Sequence, residues 1–280
     1  MHSTSVMIGV LFAVSLGTAQ NPITQKESCK RFMPAVVRID VADGKATGFI
    51  ISPDGWILTA AHVVLDPETG ERRSAVAVSL PDGTSPLAEV FIDKDSVIRD
   101  FALLKVDAKS LPFLQLGTND EVSPVSDVTI IGYPFAAESK YSTSINTKFC
   151  LSGMVAAADT VADHGVNVDA VFFQGPAIKG ISGGPVISRD TGHVIGIQSQ
   201  RLAGIGQGLG AVRSVLQNGP APGVQVNFSF AGVNLGPTII ELINVLDRHL
   251  ANGLGAATGA DDAAIAFRGA KKAYKQQQRH

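Results

Sequence analysis

The chain has 280 residues, with 23 Lys+Arg against 25 Asp+Glu and a formal net charge of −2, which excludes a nucleic-acid binder held by a broad basic surface. Hydrophobic residues make up 45% and charged residues 17%, so a core can be filled and global disorder is excluded. The 29 glycines and 14 prolines, set among short Val/Ile runs, lean towards β structure with tight turns.

Val6–Leu16 is an apolar run followed by Gly17-Thr18-Ala19. It is too short to cross a bilayer, which takes about 20 residues per helix. Small residues at Gly17 and Ala19 fit an export-peptidase site, so residues 1–19 read as a signal peptide cleaved after Ala19. That predicts an exported protein, periplasmic or secreted, with no stable membrane insertion after cleavage. Residues 20–34 form an N-terminal segment. The two cysteines, Cys29 and Cys150, can form at most one disulfide in an oxidising compartment. Two free buried thiols are the alternative, because sequence cannot place their Cα atoms within bridging range.

Strand candidates follow from apolar alternation and short apolar runs. In the first half they are Val36–Val41, Thr47–Ile51, Trp56–Thr59, Ala75–Leu80, Leu87–Ile92 and Phe101–Val106. In the second half they are Asp127–Gly132, Phe149–Ala157, Val168–Phe173, Pro185–Ile187, His193–Gln198 and Val224–Phe230. Asp43-Gly44, Pro53-Asp54-Gly55, Pro81-Asp82-Gly83 and Asp190-Thr191-Gly192 punctuate them as turns. Six strands, a connection near Leu111–Pro124 and six more strands suggest two packed β units, at about 35–115 and 125–235. Pro237 then opens a segment with Ile239, Ile243, Leu246 and Leu250 on one helical face, ended by Asn252-Gly253. The tail, 251–280, offers few apolar residues for burial and is expected to be flexible; a helix is the alternative, suited by Asp261-Asp262 at its start and basic residues at its end.

Three local patterns carry chemistry. His62 sits in Thr59-Ala60-Ala61-His62-Val63-Val64, where a strand ends among small residues. Asp100 opens the apolar run Phe101-Ala102-Leu103-Leu104, a boundary at which a carboxylate is costly to bury unless paired. Ser182 lies in Gly180-Ile181-Ser182-Gly183-Gly184-Pro185, where backbone can approach a ligand closely. Each alone is more often a turn, cap or core residue. Together they supply the nucleophile, base and orienting acid of Ser-His-Asp chemistry, drawn from both β halves. The serine also matches the Gly-x-Ser-x-Gly elbow of α/β-hydrolases, but that elbow needs a helix directly after it. Gly183-Gly184-Pro185 opposes one.

With these segments in view, the chain resembles a trypsin-like (chymotrypsin-fold) serine endopeptidase, nearest the HtrA/Deg branch. The resemblance runs through Thr47–Gly55, Ile57–Val64, Asp100–Val106, Leu116-Gly117, Ile131–Pro134, Phe173-Gln174, Gly180–Pro185 and Val194–Ile197. It covers about residues 35–250 and implies an all-β fold: two six-stranded antiparallel β-barrels with the active site between them, plus a C-terminal helix at 237–250. It implies an exported serine endopeptidase acting through an acyl-enzyme on polypeptide substrates, with no metal or organic cofactor and no nucleic-acid partner.

Carried over residue by residue, Ser182 is the nucleophile, His62 the base and Asp100 its orienting acid. Gly180 and Ser182 N–H groups form the oxyanion hole. Ala177, Ile178, Ile197 and Gln198 border the substrate, and the first three predict an aliphatic preference. There are departures. Ile181 stands where Asn or Asp is usual and cannot form a zymogen-type ion pair, and no activation site is seen near the mature start. Gly175 replaces an acidic residue, and the tail leaves no room for a PDZ domain. Residues 201–223 look like an insertion. A protease-fold module that binds peptides or partners without cleaving them is the alternative, carried by Ile181. Sequence sets no oligomeric state.

Overall fold

The computed structural model describes residues 21–42, 44–134, 147–176, 178, 180–201, 215–216, 229–230, 233–241 and 254–278. The expected signal peptide, Ala177, most of the expected insertion and the expected helical residues 242–250 lie outside them.

A helix, α1 (Gln25–Phe32), opens on a capping box in which Thr24 and Glu27 satisfy each other's backbone. β1 (Val36–Val41), β2 (Gly44–Ser52) and β3 (Trp56–Thr59) form an antiparallel meander. The short helix α2 (Ala61–Val64) follows, then β4 (Ala77–Ser79), β5 (Glu89–Phe91), α3 (Lys94–Ile98) and β6 (Ala102–Lys105). These six strands make one sheet in the order β4-β1-β2-β3-β6-β5. Its two outer strands approach through an Ala77–Leu87 bridge, which rolls the sheet into a half-open barrel.

The second unit comprises β7 (Asp127–Gly132), β8 (Phe149–Asp163), β9 (Val166–Gln174), β10 (Pro185–Ser188), β11 (Val194–Arg201) and, after a small hairpin of β12 (Ser229–Phe230) and β13 (Val233–Asn234), β14 (Leu254–Gly259). It is a closed barrel in the order β10-β11-β14-β9-β8-β7. β8 and β9 form one long hairpin, turned by His164 and Gly165 with φ of 45° and 79°. Positive φ at both central residues is the type I′ signature, which matches strand twist.

The apolar runs that mark the strands are continuous because both strand faces are covered. In β2, Ile50 points into the first unit while Phe49 and Ile51 point out of it. β3 and β6 behave alike: Ile57 and Leu104 go inward, whereas Trp56, Leu58 and Leu103 join the outer layer. β7 and β10 send Ile130 and Val186 into the second barrel and Ile131 and Ile187 into that same layer. Two barrels are thus cemented by a third apolar layer that neither encloses. This is the period-2 geometry of a strand buried on both sides.

Two expectations are corrected at the C-terminus. The second barrel does not end near 235; its sixth strand is β14. Within the tail expected to be flexible, residues 254–259 are that strand and residues 260–277 form a helix, α4 (Ala260–Gln277). The strand carries little sequence signal because β14 is Leu-Gly-Ala-Ala-Thr-Gly, in which Thr258 is the one strong β-former. Those small residues are what the site demands. A Cβ on Gly255 would overlap the Phe173 ring, and one on Gly196 would press on Ala257 Cβ at 2.8 Å. In α4, Ala263, Ala266, Phe267, Ala270 and Tyr274 share one helical face and lie against the inter-barrel layer. Phe267 and Tyr274 each meet the Trp56 ring edge-on at 5.7 Å, while Lys271 reaches Ser52 Oγ at 2.9 Å. Of the helix expected at 237–250, residues 237–241 are described, and they are helical. No helix among the described residues is long and apolar enough to cross a membrane.

This docking makes a quantitative prediction. Phe267→Ala should lower the unfolding free energy by about 2 kcal/mol in urea titrations, below the range for a fully buried Phe because the ring is only partly enclosed. Ile265→Ala, on the exposed side of the same helix at 61% exposure, should change it by less than about 0.5 kcal/mol. Equal effects would mean that α4 does not dock through this face.

Candidate active site

Ala60 caps α2, placing the His62 imidazole at the mouth of the cleft with 49% of its side chain exposed. Asp100 arrives from the other direction, at the end of α3. Its φ is 53°, Asp100 N–H donates to Val97 O at 3.1 Å, and Phe101 N–H donates to Ser96 O at 3.0 Å. That pair of bonds is a Schellman ending, whose left-handed position is usually glycine. Aspartate is among the few other residues that tolerate it. The chain accepts local strain here and gains a carboxylate aimed at His62.

The pair is closely made. His62 Nδ1 lies 2.9 Å from Asp100 Oδ2 and 3.0 Å from Oδ1, and His62 N–H donates to Oδ1 at 2.9 Å. Ser199 Oγ donates to Oδ2 at 2.5 Å. Burial pushes the Asp100 pKa up, but the His62 bond and charge and the Ser199 hydroxyl outweigh it, so the carboxyl titrates below its usual range. Burial pulls the His62 pKa down, but the hydrogen bond and charge of Asp100 outweigh that, and it lies above its ordinary 6.5.

Ser182 occupies the second of two consecutive turns. Ile181 N–H donates to Ile178 O at 3.2 Å, and Gly184 N–H donates to Ile181 O at 2.9 Å. The third residue of each turn, Gly180 and Gly183, has a φ of 98° and 81°, a value for which type II turns select glycine. Gly183 has a second constraint: a Cβ there would overlap Thr59 Oγ1 and the Thr47 carbonyl. The serine turn is therefore pressed against the strand end that leads into α2 and His62.

Hydrogen bonds close the circuit. Gly183 N–H donates to Gln198 O at 2.7 Å, and Gln198 N–H donates to Gly184 O at 2.8 Å. Gln198 precedes Ser199, which holds Asp100, which holds His62. Arg99, beside Asp100, is braced from the barrel end: Thr258 Oγ1 donates to Arg99 O at 2.5 Å, and Asp262 approaches the guanidinium at 2.9 Å. An open groove of about 1200 Å³ runs past His62, Asp100 and Ser199, walled by Leu65, Val97, Ile98 and Val166. Groups of His, Cys, Asp and Glu able to hold a metal ion are absent among the described residues.

The residues expected to border the substrate divide. Ile178 is partly buried against the second barrel's core. Gln198 is 3% exposed and uses its backbone to hold the serine turn. Ile197 is a correction. Its side chain is fully buried in the inter-barrel layer with Phe49, Ile131 and Ile187, whereas Ile195, two residues earlier, enters the second barrel, because the β10–β11 register shifts between Val186 and Ile187 and switches the face. It forms no pocket wall, so the expected aliphatic preference loses one of its three supports. Ile181 is likewise fully enclosed, in the second barrel. Cys29 and Cys150 are paired, with Cα atoms 5.7 Å apart, tying α1 to β8. Ser199 was missed in the sequence; a serine after Gln198 carries no local signal until the strand is paired.

The trypsin-like peptidase domain model matches residues 46–197. A probable periplasmic serine endoprotease DegP-like of Chlamydia pneumoniae is 30% identical over 71% of this chain and 38% of its own length. Another, of Halomonas elongata, is 37% identical over 55% of this chain and 29% of its own. Serine protease HTRA1 of Xenopus laevis is 36% identical over 63% and 38%. The chain thus spans about a third of the length of these curated relatives. Among solved structures, a variant of the HtrA-type protease AlgW with tripeptide superposes with a TM-score of 0.57 at 21% identity, covering 88% of this chain and 63% of the other. Deg5 gives 0.50 at 23%, covering 62% and 82%. At those identities the superpositions speak for the fold.

Proposed function

Because the chain belongs to the trypsin-like peptidase domain family, we propose that it is an exported serine endopeptidase whose catalytic residues are Ser182, His62 and Asp100. The observation that carries this is the His62–Asp100 pair, held at 2.9 Å on the rim of the groove and linked through Ser199 and Gln198 to the serine turn. Ser182 Oγ attacks the scissile carbonyl while His62 takes its proton. Asp100 fixes the tautomer and stabilises the imidazolium. Ser182 and Gly180 N–H groups receive the oxyanion, each such donor lowering the barrier by about 3 kcal/mol. His62 then protonates the leaving amine, and water releases the acyl group from Ser182. The open groove favours an extended polypeptide. The Cys29–Cys150 disulfide suits an oxidising compartment, in keeping with relatives named periplasmic. Ile181, which had kept a non-cleaving binding module in view, lies in the barrel core away from the groove.

The pH profile of cleavage tests this. Neutral imidazole is the base, so activity must rise as pH rises through the His62 pKa. Since Asp100 raises that pKa, the midpoint of kcat/KM should lie above 6.5. The measurement is initial cleavage of unfolded, fluorescently labelled casein between pH 5 and 9, with and without a fluorophosphonate. A profile flat across this range, or cleavage indifferent to the inhibitor, would overturn the assignment.

A further inference from the structure

We propose that Thr47 is a positioning residue for the serine turn, setting the orientation of the peptides on both sides of the Ile181–Ser182 bond. This rests on Ser182 being the nucleophile. Thr47 lies on β2, in the other β unit, and is fully buried. Three of its backbone and side-chain groups reach the turn or the strand end beside it. Its hydroxyl donates to Gly180 O at 2.8 Å, its N–H donates to Ser182 O at 3.0 Å, and its carbonyl accepts from Thr59 Oγ1 at 2.8 Å. A fourth bond fills the acceptor side of the same hydroxyl, whose proton the Gly180 carbonyl takes. Tyr133 N–H donates to Thr47 Oγ1 at 2.9 Å, which leaves the hydroxyl proton for Gly180.

These bonds clamp whole peptide planes. The Gly180–Ile181 peptide is held at its oxygen by Thr47 and at its nitrogen by Ile178 O. The Ser182–Gly183 peptide is held at its oxygen by Thr47 N–H and at its nitrogen by Gln198 O. Between them, Ile181 O accepts from Gly184 N–H. In a planar trans peptide the N–H points opposite to the C=O, so the Ser182 N–H is directed away from that bond. The Ile181 side chain contributes anchorage in the barrel and no hydrogen bond. Glycine at 132 makes room for this arrangement: a Cβ there would stand 2.9 Å from Thr47 Oγ1 and 2.8 Å from Ile181 Cγ2. Without the hydroxyl, Gly180 O is a buried acceptor with its donor gone, and the peptide can turn over.

The test compares wild type with Thr47→Val and Thr47→Ser, on the fluorogenic peptide that wild type cleaves best from an equimolar library. Thr47→Val should lose kcat by about 100-fold, as when one oxyanion donor is missing. KM should stay within about threefold, because substrate binding in the ground state does not use the turn. The pH midpoint should not move, because the His62–Asp100 pair is untouched. Thr47→Ser should recover most of the lost kcat. A folded Thr47→Val protein with undiminished kcat overturns the assignment. So does a loss that Thr47→Ser fails to rescue or that shifts the pH midpoint, since that marks general damage. Should Thr47→Val fail to fold, Thr47→Ala takes its place under the same criteria. Wild type that neither cleaves peptide nor reacts with a fluorophosphonate would instead remove the endopeptidase assignment itself.

Discussion

Ser182→Ala is expected to reduce peptide turnover by about 10⁶-fold, the scale of loss when a serine hydrolase is deprived of its nucleophile. The size follows from what the hydroxyl does. Without it there is no acyl-enzyme, and the remaining turn and groove can only bind and polarise the carbonyl, which leaves a residual rate above that in water. The change removes one oxygen from a side chain that is partly exposed, and the turn is held by backbone bonds of Ile181, Gly183 and Gly184. Thermal unfolding should therefore stay close to wild type. KM should change little, because the missing interaction belongs to the transition state. Turnover by Ser182→Ala within tenfold of wild type would place the nucleophile elsewhere.

Asp100→Asn should cost about 10⁴-fold in kcat. Asparagine tolerates the left-handed backbone as aspartate does, so the Schellman ending of α3 survives and the substitution isolates the electrostatics. An amide presents N–H₂ where the carboxylate accepted three contacts, from the His62 ring, the His62 N–H and the Ser199 hydroxyl. Where that N–H₂ takes the Oδ2 position facing Nδ1, it is satisfied by the reversed imidazole tautomer, which leaves a proton on the nitrogen that must act as base. With the negative charge gone, the force raising the His62 pKa also goes. Residual activity should therefore rise at lower pH than in wild type. Loss of activity with an unchanged midpoint would mean that Asp100 acts only as scaffold.

Much of this site is legible before folding because it is local. His62 follows a strand that the run Trp56–Thr59 announces, Asp100 precedes another, and Ser182 sits among glycines that only turns and close approach explain. Strands of the two units are legible because double-sided burial leaves continuous Val, Ile, Leu and Phe. What sequence hid was set by tertiary partners. β14 has little intrinsic preference for a strand beyond Thr258; it forms in the slot between β9 and β11, with Gly255 lying flat on Phe173. The α4 stripe is mostly alanine and matters because Trp56 and Phe91 lie beneath it. Ser199 and Thr47 gain meaning only from Asp100 and Gly180, which stand 99 and 133 residues away in the chain. Ile197 departs from expectation for the converse reason: the β10–β11 register shifts just before it, so it leaves the barrel interior that Ile195 enters, and that shift belongs to the strand pairing.

Intact-mass analysis of the wild-type chain after reaction with an alkyl fluorophosphonate, followed by peptide mapping, tests the central assignment most directly. One phosphonyl group located on Ser182, formed faster as pH rises through the His62 midpoint, is the predicted result. No adduct on the folded protein, or an adduct on another serine such as Ser199 with Ser182 unmodified, would contradict it.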